Sequence, residues 1–310
     1  MVATIRSRYS EMYGFGACSG DTAAQRLANS YDKGYSEVYN DDGQKRKEPV
    51  GLKRPQLQCY MNAVLQCLES SSVLCDELGR SGVQYAKEFI NLTQRTEPVV
   101  ADVLLGGMDP AKQADANEFL IKFIELSEAK TISAKGHWQW TCTNCRNRLN
   151  TERSDGLSVL VNIGTDGGLR HLLTSNASVR SCPTCKKDMK GTSAWVFDKP
   201  SPIMAITVDR ASTGSGGLTK NPRPLKAEEK VFIDGNMYEL FALVSHREDA
   251  SDTKPGCGHY WAHVRRGGRW WHINDDVVQE AGLDTAAATL LFYSLHPLFA
   301  PRGEISLLRA

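Results

Sequence analysis

QLQCYMNAVLQCLESS, residues 56–71, is the stretch on which the reading of the chain turns, because it sets Cys59 directly before the first turn of a predicted helix. Met61, Val64, Leu65 and Leu68 fall at i, i+3, i+4 and i+7, one apolar stripe with a period near 3.6. Neither proline nor glycine interrupts Tyr60 to Ser70. A thiol at a helix N-terminus feels the positive end of the helix dipole, which favours thiolate over thiol. Position alone does not make a nucleophile. Free cysteine is among the most buried residue types and commonly packs as a small hydrophobe, and Cys67 and Cys75 read that way.

At 310 residues the chain can bury a full core, in one elaborate domain or two ordinary ones. Lys plus Arg is 37 and Asp plus Glu is 36, so no charge excess points to nucleic acid or to a membrane surface. Residues 1–20 carry Arg6 and Arg8 but no continuous apolar run of a secretory leader, and no stretch reaches the length of a membrane span. Nine cysteines, four of them in two C-x-x-C pairs, favour metal binding over disulfides in such a chain. The expectation is an intracellular protein of cytoplasm or nucleus (a host cell's, if the source is a pathogen), with no nucleic-acid or membrane partner.

Residues 1–49 are polar, without sustained periodicity, and end in the linker-like NDDGQKRKEP; they read as an N-terminal extension open to disorder. Gly51 to about Lys130 reads helical. In QADANEFLIKFIE, residues Ala116, Phe119, Leu120, Phe123 and Ile124 share one helix face, and Asp115 followed by Glu118 resembles a capping box. From about Gly136 the short runs WQWTCTNC, LSVLVNI, SAWVF and PIMAITVDR predict an antiparallel β region. Residues 211–224 read as a loop. VFIDGNMYELFALVSH predicts a hairpin turning at Asp234-Gly235, and GHYWAHVRRGGRWWHINDD predicts another.

Cys142-x-x-Cys145 and Cys182-x-x-Cys185 stand 36 residues apart. Two knuckles, each offering two thiolates, can complete the tetrahedral sulfur site that structural zinc prefers. A redox motif would not need a second copy. With all four positions taken by sulfur, such a zinc would be structural rather than catalytic.

The second hairpin selects one histidine of seven. With Arg265 to Gly268 as its loop, Val264 pairs with Arg269 and His259 stands directly opposite Asn274, with Cβ atoms roughly 5 Å apart. Asn274 could then orient the imidazole, as a base serving a nucleophile requires. Cysteine at a helix N-terminus, histidine on a strand and asparagine beside it make the Cys-His-Asn arrangement of papain-like proteases. A slip of one residue would separate the pair onto opposite faces.

These residues resemble the ubiquitin-specific proteases across about residues 51–295. GLKRPQLQCYMNAVLQCL is similar to that family's Cys box, QADANEFL to its helix motif, and the doubled C-x-x-C to the zinc ribbon of its fingers. PIMAITVDR, YELFALVSH, CGHYWAHV, RWWHINDD and LLFYSL resemble the strands that follow, in order. The resemblance implies an α+β, papain-like cysteine protease fold over residues 50–310. It would have a helical thumb, a β palm and zinc-ribbon fingers at about 136–200. It implies a thiol hydrolase acting after the C-terminal glycine of ubiquitin, with ubiquitin or ubiquitinated proteins as partners. Cys59 would be the nucleophile, His259 the general base and acid, Asn274 the orienting residue and Asp275 an additional acid near the oxyanion. Gln113, Asp115 and Glu118 match positions that contact the basic tail of ubiquitin, and Cys142, Cys145, Cys182 and Cys185 would hold Zn2+.

One departure bears on catalysis. The family's oxyanion asparagine, five residues before the cysteine, is Arg54 here, and its Gly-x-Thr is Gln56-Leu57-Gln58. Losing an oxyanion donor costs about 2.7–4 kcal/mol of transition-state stabilisation, so an N–H from Arg54 to Gln58 is expected to replace it. Two other functions suit the same residues: a ubiquitin-binding pseudoenzyme, and a papain-like protease for a ubiquitin-like or viral substrate.

Overall fold

The computed structural model describes residues 48–154, 156–163, 168–174, 176–214, 217–248 and 258–296; the extension expected over 1–49 lies almost wholly outside them. The described chain begins with helices α1 (Cys59–Glu69), α2 (Ser72–Gly79), α3 (Gln84–Thr93) and α4 (Ala116–Ser127). A four-stranded antiparallel sheet comprises β1 (Gly136–Cys142), β2 (Arg148–Ser154), β4 (Asn176–Cys182) and β5 (Lys187–Phe197), in the order β2-β1-β5-β4. Between its halves lie β3 (Ser158–Asn162) and the short α5 (Leu169–Thr174).

The larger sheet adds β6 (Ile203–Asp209), β9 (Lys230–Ile233), β10 (Asn236–Glu248), β11 (Gly258–Arg266), β12 (Arg269–Asn274), β13 (Val277–Glu280) and β14 (Ala288–Leu295). Its order is β13-β12-β11-β10-β14-β6-β3, with β9 on the first residues of β10. A separate ribbon pairs β7 (Ala211–Gly214) with β8 (Gly217–Lys220).

α1 is not the one-sided helix its periodicity predicts. Every residue from Cys59 to Leu68 is buried, because one side packs against α4 and the other against the sheet face carrying Tyr260, Ala262, Val264, Trp271 and Ile273. Fully burying Val64, Leu65 and Leu68 contributes roughly 1.5–3 kcal/mol each. The polar members are matched by backbone: Gln66 Nε2 donates to Val50 O at 2.8 Å, and Asn62 Nδ2 reaches Leu52 O at 3.4 Å. The opposite face of the sheet buries Leu243, Leu291, Tyr293, Met204 and Ile206 against α5 and Trp195.

Several expectations are corrected. LSVLVNI forms β3, which pairs with β6 in parallel rather than antiparallel; a run buried at Val159 and Val161 and exposed at Leu160 does not reveal strand direction. Residues 211–224 contain the β7–β8 ribbon, not loop alone. Helix α5 interrupts the β half, packing Leu169, Leu172 and Leu173 into the core. The first hairpin does turn at Asp234-Gly235, both with positive φ. The second turns at Gly267-Gly268, φ +59 and +74, so Arg266 pairs with Arg269. A two-residue turn with two positive φ values matches strand twist, and glycine carries it without strain, so the register moves by two residues from the expected pairing.

A buried ion network ties these parts together. Glu69, at the end of α1, takes Arg95 NH1 at 2.6 Å and Arg266 NH2 at 2.9 Å. Arg95 also donates to Gly51 O at 3.2 Å and to Val50 O. Replacing Glu69 with alanine removes the carboxylate that both guanidinium groups share and leaves their charges uncompensated, so a loss of about 3–5 kcal/mol is expected. Urea denaturation of Glu69→Ala checks this, and a loss below about 1 kcal/mol would make the network no more than a surface pair.

Candidate active site

Cys59 is the first residue of α1, following Gln58 as the cap, and is 1% exposed. His259 is the second residue of β11, beside α1. Burial pushes the Cys59 thiol pKa up. The hydrogen bond from His259, the backbone of Tyr260 and the imidazole charge together outweigh burial and bring it below its ordinary value. The same hydrogen bond pulls the His259 pKa up, against burial, with Asn274 and Asp275 assisting. Both shifts run toward the thiolate–imidazolium pair, and the two titrations belong to the pair.

Asn274, the last residue of β12, accepts from His259 Nε2 at 2.5 Å. An amide oxygen can only accept, so Nε2 carries the proton and Nδ1 is left for the thiol. His259 and Asn274 meet although the register differs from expectation. A shift of two residues keeps both side chains on one face and makes them diagonal rather than direct neighbours.

Asp275 follows in the two-residue turn between β12 and β13, with φ +53. Its Oδ1 accepts from Asn62 Nδ2 at 2.9 Å, and its Oδ2 lies 3.0 Å from Arg54 Nε and 3.9 Å from His259 Nε2. Burial raises its pKa, opposed by Asn62, Arg54 and His259. Leu52 N donates to Asp275 O at 2.9 Å. A Cβ on Gly51 would sit 2.5 Å from Asp276 Cα and 2.7 Å from Asp275 O, so only glycine lets the chain pass this turn. Asn62 and Gly51 were not singled out from sequence: nothing local marks residues whose partners lie more than 200 positions away.

Of the expected oxyanion donors, Arg54 Nε is engaged by Asp275 and Gln58 Nε2 by Asp102; Gln56 is exposed. Asp115 is the N-cap of α4, accepting from Asn117 N at 2.8 Å and Glu118 N at 3.3 Å, so its capping role is met. Glu118 is exposed. Gln113 bonds the backbone of Gly258.

Cys142, Cys145, Cys182 and Cys185 come together because β1 and β5 are neighbours. The β1–β2 and β4–β5 turns then fall at the same end of the sheet. Each turn bends at a residue with positive φ, Arg146 and Lys186, whose N–H returns to the carbonyl of Cys142 or Cys182 at 3.0 and 2.8 Å. The four sulfurs lie within 4.8 Å of one another and could hold a metal ion. No helix among the described residues is long and apolar enough to cross a membrane.

A thiol at the head of a buried helix, beside a strand that carries an oriented imidazole, together with a four-stranded sheet ending in a four-cysteine cluster, defines an α+β papain-like fold with zinc-ribbon-type fingers. A family model described as ubiquitin carboxyl-terminal hydrolase matches residues 50–293, and the chain belongs to that family. It is 24% identical over 284 residues to ubiquitin carboxyl-terminal hydrolase 26 of Arabidopsis thaliana, covering 76% of this chain and 26% of that one. It is 33% identical over 91 residues to hydrolase 14 of the same plant, covering 29% and 10%. The chain thus spans about a quarter or less of these relatives. Among solved structures it resembles a chain of the SAGA Ubp8/Sgf11/Sus1/Sgf73 DUB module bound to ubiquitin aldehyde, with TM-score 0.62 and 17% identity, covering 89% of this chain and 76% of that one. A second resemblance is to the same module bound to monoubiquitin, with TM-score 0.62 and 16% identity, covering 86% and 76%.

Proposed function

We propose that this chain is a cysteine-type deubiquitinase that hydrolyses the isopeptide or peptide bond after the C-terminal glycine of ubiquitin. The observation that carries the reading is the Cys59–His259–Asn274 contact chain within a matched family segment. In this mechanism His259 Nδ1 holds the proton taken from Cys59 while the sulfur attacks the carbonyl carbon. It returns that proton to the leaving amine, then activates the water that releases ubiquitin's carboxylate. Asn274 holds the tautomer. Asp275 holds Arg54 and, with Asn62, the turn that presents Asn274.

We assign oxyanion stabilisation to the Cys59 backbone N–H and to Arg54, which has N–H groups beyond the Nε bonded to Asp275. Arg54→Ala is expected to lower kcat about 10²–10³-fold with little change in KM, since such a donor acts in the transition state. An unchanged kcat would move the role elsewhere.

The four cysteines support a structural zinc. A tetrahedral ion with Zn–S of about 2.3 Å requires sulfurs roughly 3.8 Å apart; Cys142 and Cys185 stand at 4.0 Å, Cys145 and Cys182 at 3.5 Å. Asn144 Nδ2, 3.4 Å from Cys185 Sγ, is a fitting outer partner. Zinc would supply folding energy there, remote from the chemistry. Asp115 and Glu118, exposed beside the site, are assigned to the basic tail of ubiquitin.

The test is turnover of a fluorogenic ubiquitin conjugate. Hydrolysis by the wild type supports the enzyme, and tight binding of ubiquitin without hydrolysis identifies a pseudoenzyme instead. Turnover confined to a ubiquitin-like conjugate would redirect the substrate.

A further inference from the structure

Among the described residues, the catalytic end of β11 has a partner strand on one side only. β10 pairs with β11 as far as Gly258 and His259, through Glu248 and Arg247. On the other side β12 pairs only from Ala262 inward, where Ala262 meets Ile273. Residues 258–261 therefore form an open edge where His259 needs a fixed backbone. A general base displaced by about 1 Å can lose roughly 10²-fold in rate.

Gln113 occupies that edge. Gly258 N donates to Gln113 Oε1 at 3.2 Å, and Gln113 Nε2 donates to Gly258 O. One primary amide thus accepts and donates as a residue of a neighbouring strand would. Gly258 is itself pinned. An added Cβ would fall 2.3 Å from Arg247 O and 2.5 Å from His246 Nε2, so the backbone at this point lies hard against β10. On the far side of His259, Tyr260 Oη donates to Asp115 Oδ2 at 3.3 Å, while Asp115 Oδ1 caps α4. Tyr260 also stacks on His246, ring centroids 4.2 Å apart. The segment leading into α4 therefore grips both chain neighbours of His259.

We propose that Gln113 is a positioning residue for His259, its side-chain amide standing in for the strand that β12 does not supply, with Asp115 bracing the other side through Tyr260. Both polar ends of the Gln113 amide are engaged by Gly258, so its part in the reaction is to set where the imidazole sits relative to Cys59, not to hold ubiquitin. The inference rests on the Cys59–His259 reading above.

The test compares wild type, Gln113→Leu, Gln113→Glu and His259→Ala. Two readouts are taken: kcat and KM on a fluorogenic ubiquitin conjugate, and the pH dependence of Cys59 alkylation by iodoacetamide, followed on the Cys59 peptide by mass spectrometry. Iodoacetamide needs no ubiquitin, so it reports the thiol–imidazole pair alone. Gln113→Leu is expected to lower kcat roughly 10- to 100-fold with KM within about twofold. Its alkylation midpoint should move up toward that of His259→Ala. Gln113→Glu can still accept from Gly258 N–H and should fall between Leu and wild type. A raised KM with an unchanged alkylation profile would make Gln113 a substrate contact and overturn the proposal, as would no change in either readout. If His259→Ala alkylates like wild type, the pairing of Cys59 with His259 fails instead, and the two failures are told apart.

Discussion

Cys59→Ala is expected to abolish cleavage of a ubiquitin conjugate while ubiquitin binding stays largely intact. The substitution removes one sulfur from a site whose walls are set by α1 and β11. Ala63, Val64 and Leu65 keep the helix packed with or without it. His259→Ala is expected to lose nearly all turnover too. The thiol is 1% exposed, and burial by itself would keep it protonated. The imidazole beside it, helped by the backbone of Tyr260, is what brings the thiol pKa down against that burial. General base catalysis is worth typically 10²–10⁴-fold, and here the same residue also holds the thiolate. Asn274→Ala should be milder, because it removes orientation and leaves the proton acceptor, with Asp275 Oδ2 already 3.9 Å from His259 Nε2. Rates from the three variants check the ranking; an Asn274→Ala loss equal to that of His259→Ala would mean that tautomer control is everything.

The second large effect is expected at the cysteine cluster. Protein purified without chelator should carry one zinc per chain, and Cys142→Ser should lose it. Among the described residues, the hydrophobic cluster at this end of the four-stranded sheet consists of Trp140, Cys142 and Cys182, with Leu149 and Met189 partly covered. So small a core cannot order two turns by itself. Binding energy of zinc to such sites, about 10–16 kcal/mol in isolated peptides, is folding energy. The variant should therefore lose ordered β structure and bind ubiquitin more weakly, while iodoacetamide still finds a reactive Cys59, because α1 and β11 pack in a hydrophobic cluster separate from the one at this end of the sheet. A folded wild type without bound metal would remove zinc from the account.

How far the residue order revealed this site follows from how local each signal is. Cys59 and its helix were legible because a period of 3.6 is written in adjacent residues. The four cysteines were legible because each pair closes its own turn. His259 and Asn274 were found through a hairpin count that was off by two, and they survived because a strand's faces alternate with period two. The turn glycines Gly267 and Gly268, read as half of a longer loop, were the missed signal: both take positive φ. By contrast, Asn62 with Asp275, Arg54 with Asp275 and Gln113 with Gly258 join residues between 145 and 221 positions apart. No periodicity records such pairs. The same holds for the direction of β3, whose parallel partner β6 follows an intervening helix and two strands.

One measurement bears most directly on the claim that Cys59, activated by His259, is the nucleophile. Ubiquitin carrying an electrophile at its C-terminus is incubated with the wild type, and the cross-linked peptide is mapped by mass spectrometry. A single adduct on Cys59 is expected, absent from Cys59→Ala and slowed in His259→Ala. An adduct on Cys75 or on one of the four clustered cysteines, or binding of ubiquitin with no adduct at all, would contradict it.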